Sequence, residues 1–165
     1  MTQEVQAILN EISEKMRTGP SVLSLMGLEP GDLNGAAQIA RNDLLAGHDE
    51  AAMAKFAQLV FVDPLNTDFQ IGLAEAALAN GEPELAMQSA AAVIADRPKS
   101  AAGFLLSGRA ALMMGEGEAA LEDLRDAIRI AEAMSRSASV REGVSDLHCA
   151  RVADLSARVA EHLSL

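Results

Sequence analysis

Three glycines constrain this chain more than any other feature. Gly47, Gly81 and Gly115 lie 34 residues apart, and so do Ala52, Ala86 and Ala120. Pro64 and Pro98 keep the same interval, and Glu132 stands where a third proline would fall. A sequence that repeats in this way is built from copies of one supersecondary unit. Each copy buries its apolar face only by stacking on the next. Glycine suits the left-handed residue that ends a helix and turns the chain. Proline after a second helix prevents that helix from continuing.

The 34-residue interval is the signature of the tetratricopeptide repeat, a helix–turn–helix unit that stacks into a superhelix. With each proline at position 32 of its unit, the repeats run 33–66, 67–100 and 101–134. Helix A is expected at about 34–46, 67–79 and 101–114, and helix B at about 49–62, 83–95 and 117–133. Pro83 then opens a helix B, where its missing N–H costs little. Small residues recur where helices must cross closely: Ala40, Ala74 and Gly108 in helix A, and Ala52, Ala86 and Ala120 in helix B. Ile39, Phe56, Leu59, Leu73, Val93, Phe104, Leu124 and Ile128 are expected to fill the core between them. Half of the 165 residues are hydrophobic but only 2% are aromatic, a composition suited to close-packed helices and poorly suited to strands. The expected fold is an all-α, single-domain superhelix, with residues 1–32 and 135–165 flanking three repeats.

In the N-terminal flank, Val5, Ile8, Leu9, Ile12 and Met16 recur at helical spacing and form one apolar stripe. That stripe either folds back on the repeats or pairs with a second copy of the chain. Gly19-Pro20 stops the helix. Residues 21–28 predict a short helical turn, and Glu29-Pro30-Gly31-Asp32 breaks the chain before the first repeat. In the C-terminal flank, Ser139-Val140-Arg141-Glu142 has capping-box form. Val140, Val144, Leu147, Leu155, Val159 and Leu163 then mark one face, as expected of a helix that covers the open end of an array.

A net charge of −11 and a pI near 4.6 argue against a nucleic-acid or anionic-membrane partner. The first residues are acidic and amphipathic, unlike a signal peptide, and no apolar run approaches the ~18 residues of a membrane span. The single cysteine, Cys149, excludes an internal disulfide and fits a reducing cytosol. No nucleophile elbow, phosphate loop or paired-histidine zinc motif is present. His48 falls in the first repeat's turn, and His162 near a helix C-terminus, where positive charge is favoured. His148 adjoins Cys149, but neighbours on a helix point ~100° apart and no third ligand is suitably spaced. No metal, cofactor or catalytic residue is expected.

Helix A of each repeat lines the inner surface of such a superhelix. Read in register, its inward positions form three rows: Ala37, Ile71, Leu105; Arg41, Glu75, Arg109; and Leu44, Leu78, Leu112. Aliphatic rows beside a charged row make a groove able to take an extended segment of another protein. The alternative is that the leucines are packing between adjacent helices.

The stretch from Gly19 to Ala74 carries more than a generic repeat. It contains the run Asp63-Pro64-Leu65-Asn66-Thr67-Asp68-Phe69, followed by Ile71-Gly72-Leu73-Ala74. This resembles the class II chaperones of bacterial type III secretion, which hold hydrophobic translocator proteins. The similarity covers roughly residues 19–134. It implies a cytoplasmic, all-helical protein with three repeats, often dimeric through its N-terminal region. Such a protein binds a short extended anchor segment of a translocator in its concave groove, keeping it soluble until export, and some members assist transcriptional control. Members commonly carry tyrosines at the positions held here by Ala37, Arg41 and Leu44, so this groove is expected to be wider or differently shaped. One rival is a general tetratricopeptide scaffold or adaptor. A scaffold that read a C-terminal carboxylate would use Asn34, Arg41 and Arg109, and Glu75 and Asp68 oppose it. The other rival is a helical enzyme or regulatory subunit.

Overall fold

A computed structural model of the chain describes residues 22–138. Helix α1 (Val22–Leu25) is a single turn, followed by a 3-10 turn at Pro30–Leu33. Six helices then alternate as A and B partners: α2 (Asn34–Leu45) with α3 (Asp49–Val62), α4 (Thr67–Ala79) with α5 (Pro83–Asp96), and α6 (Ala101–Met114) with α7 (Gly117–Ala138). The described residues contain no strand. Each helix begins and ends close to where the glycines and prolines place it, with one exception. The last runs unbroken to Ala138, past the expected end at 133.

The punctuation works as the residue chemistry requires. Gly47, Gly81 and Gly115 have φ of 78°, 79° and 80°, the left-handed region that turns each A helix toward its B partner. Pro83 occupies the first turn of α5, and Pro64 and Pro98 lie in the turns after α3 and α5. The break expected at residues 29–32 is a 3-10 turn, in which the Glu29 N–H donates to Asp32 Oδ2 at 2.8 Å. The N-terminal stripe from Val5 to Met16 and the C-terminal residues from Ser139 onward, His148, Cys149 and His162 among them, lie outside the described residues.

The core follows the small-residue register. Ala40, Ala74, Ala52, Ala86 and Ala120 are fully buried. At Gly108, a Cβ would come within 2.8 Å of Leu124 and 3.2 Å of the Ala120 carbonyl oxygen, so α6 and α7 meet almost backbone to backbone there. Phe56, Leu59, Leu73, Val93 and Leu124 are buried as expected, while Phe104 and Ile128 are half-buried. Ile39 departs from expectation: it is 56% exposed. Its counterparts Leu73 and Ser107 are buried because each of those A helices packs on the preceding repeat. No described repeat precedes the first.

The residues Asp63 to Gly72 have a structural explanation. Asn66 caps α4, its side-chain oxygen accepting from the N–H groups of Asp68 and Phe69 at 3.2 and 3.4 Å, while its amide donates to Asp63 at 3.1 Å. The Thr67 hydroxyl donates to Asp96 at 2.7 Å, tying the start of α4 to the end of α5. The Gln70 amide donates to the Pro64 carbonyl at 3.0 Å, and Phe69 is buried. This run is therefore the joint between the first and second repeats.

Candidate functional site: the face of the A helices

The stacking has an inner side. Successive A helices (α2 with α4, α4 with α6) pack directly on one another, and each also packs on its B partner. The B helices of neighbouring repeats approach one another much less closely. A stack whose A side is shorter than its B side curves with the A helices on the concave face.

The central helix α4 marks that face sharply. It is buried along almost its whole length except at Asp68, Ile71, Glu75 and Ala79. These four are spaced three, four and four residues apart, one narrow stripe along a helix. Carried into the neighbouring repeats by the 34-residue interval, the stripe gives four rows: Asn34, Asp68, Ala102; Ala37, Ile71, Leu105; Arg41, Glu75, Arg109; and Leu45, Ala79, Met113.

The expected site residues fall on this face unevenly. Arg41 and Glu75 are exposed, and Ile71, Leu105 and Arg109 are half-buried along the stripe. Ala37 is buried in the core shared by the first two repeats, so its row opens at Ile71 and Leu105 only. The leucine row is displaced from expectation. Leu78 is 5% exposed and belongs to the core between the second and third repeats, and Leu44 is half-buried against the first. Leu112 is 43% exposed. The accessible row lies one residue further on, where Leu45 is 78% exposed and Met113 50% exposed, with Ala79 between them. These three residues were missed because a step from 41 to 44 and a step from 41 to 45 fit helical periodicity equally well.

Polar contacts frame the face without crossing it. Lys55 on α3 donates to Asp43 on α2 and holds its carboxyl below the ordinary value of 3.8, with His48 contributing at 3.7 Å. The Ser107 hydroxyl donates to Asp123 at 2.6 Å, joining α6 to α7. Arg41, Glu75 and Arg109 enter no ion pair among the described residues. Also among the described residues, no three His, Cys, Asp or Glu side chains are grouped to hold a metal ion. Nor is any helix there long and apolar enough to cross a membrane.

Comparison with known proteins places this architecture. The chain matches no protein-family model. Over 113 residues it is 29% identical to the cellulose synthase operon protein C of Pseudomonas fluorescens (strain SBW25), covering 68% of this chain but only 9% of that protein. Among solved structures it superposes on a chain of a T3SS complex from Aeromonas hydrophila with a TM-score of 0.74, at 19% identity, covering 94% of this chain and 95% of that one. PcrH, solved in complex with the chaperone-binding region of PopD, gives 0.69 at 18% identity over 84% and 95% of the two chains. The Yersinia enterocolitica type III secretion translocator chaperone SycD gives 0.67 at 20% identity over 85% and 98%. At these identities the likeness establishes the fold: this chain is an all-α tetratricopeptide superhelix of the kind seen in type III secretion translocator chaperones.

Proposed function

We propose that this protein is a non-enzymatic chaperone of type III secretion, working in the bacterial cytoplasm. Its concave face would shelter an extended apolar segment of a translocator protein until export. The observation that carries this reading is the stripe on α4. A helix buried nearly all round leaves open one line of side chains, and that line continues as a charged row through Arg41 and Arg109, flanked by Leu45 on α2 and by Leu105 and Met113 on α6. The fold likeness supports it, since PcrH was solved holding the chaperone-binding region of PopD. The free energy of capture would come from apolar area removed from water, about 25 cal/mol per Å² before the costs of association. Self-association through the stripe Val5, Ile8, Leu9, Ile12 and Met16 belongs to the same reading, and SycD has been described as an alternative dimer.

The test uses substitutions that leave the core alone. Leu78 is unsuitable, because a charge there would disrupt packing between repeats. Leu45→Asp combined with Met113→Asp, both at exposed positions, should abolish co-purification of a co-expressed translocator, with helical content unchanged by circular dichroism. Undiminished co-purification would reject the groove.

A further inference from the structure

The central row of the trough alternates in charge: Arg41 on α2, Glu75 on α4, Arg109 on α6. None of the three is neutralised by an ion pair among the described residues. Half-buried Ile71 and Leu105 lie on one side of the row, and exposed Leu45 and Met113 on the other. Neighbouring packed helices are separated by about 8–10 Å. Polyproline II chain rises ~3.1 Å per residue with three residues per turn, so side chains on one of its faces recur every ~9 Å. An extended segment lying along the stack therefore presents every third side chain to successive A helices.

Resting on the groove reading above, we propose that this trough selects its occupant by charge order as well as by apolar content. The segment it takes carries an acidic side chain opposite Arg41, a basic one about three residues on opposite Glu75, and a second acidic one about three residues further opposite Arg109. Aliphatic residues between them meet Ile71 and Leu105 on one flank and Leu45 and Met113 on the other. A segment of reversed charge order meets three repulsions in place of three attractions, and like-charge juxtaposition is an effective means of rejecting wrong partners.

Two synthetic peptides of about eleven residues, with identical leucines, test this by fluorescence anisotropy on the full chain. One carries Asp, Lys, Asp at three-residue intervals and the other Lys, Asp, Lys. The first should bind about tenfold more tightly, a margin that shrinks as salt is raised. Arg41→Glu with Arg109→Glu should remove or invert the preference while circular dichroism stays unchanged. Binding of both peptides within about twofold of each other overturns the charge code and leaves the groove standing, as does a preference the double variant does not alter. Binding of neither peptide overturns the groove reading and this proposal with it.

Discussion

The Phe56 ring of α3 fills the space that a side chain on Gly72 of α4 would need. A Cβ built on Gly72 would lie 2.2 Å from the Phe56 ring, which is completely buried. Gly72→Ala should therefore cost about 1–3 kcal/mol of stability in urea denaturation, as overpacking does. Asp43 makes a different prediction. The Lys55 hydrogen bond depresses its pKa in the folded chain, so its contribution to stability is present above the ordinary value of 3.8. That contribution is lost as pH falls through the lower folded value. Wild type should exceed Asp43→Asn in urea midpoint at neutral pH, and the gap should close only below about pH 4. An unchanged gap down to strongly acid pH would show that the pair does not act through the charge. Neither contact was legible in the sequence: the first joins α3 to α4 and the second α2 to α3, pairings of particular side chains that periodicity does not report.

Helices were the most legible scale, because their ends are written in single residues with a stereochemical reason. Glycine at the left-handed turn and proline at the start or just after the end fixed α2 to α6 closely. The last helix overran its expected end because Glu132 replaces the proline that stops the other two B helices. The inner face was harder to read. The 34-residue interval says which residues are equivalent, and it is silent on which side of the helix they occupy. Periodicity alone leaves Leu44, Leu78 and Leu112 either as an accessible row or as packing between helices, and the more open row is Leu45, Ala79 and Met113. Asn66 carries a prediction at this scale. As the cap of α4 it accepts from two N–H groups, so Asn66→Ala should cost about 1 kcal/mol, and Asn66→Asp should recover most of that loss.

In the whole molecule, position within the stack decides what an equivalent residue does. Leu73 is buried between repeats, whereas Ile39, at the same place in the first repeat, faces outward. Leu73→Asp should destabilise the chain by more than about 3 kcal/mol, and Ile39→Asp by about 0.5 kcal/mol or less, measured by the same denaturation. A large loss for Ile39→Asp would mean that this edge is covered in solution. The near-total enclosure of α4 carries a further consequence for how such a protein could acquire a new client. The middle of the trough offers very few places where a side chain can change without unseating its neighbours. Any retailoring of taste must therefore be written mostly on the first and third inner helices, with the second kept as a fixed keel.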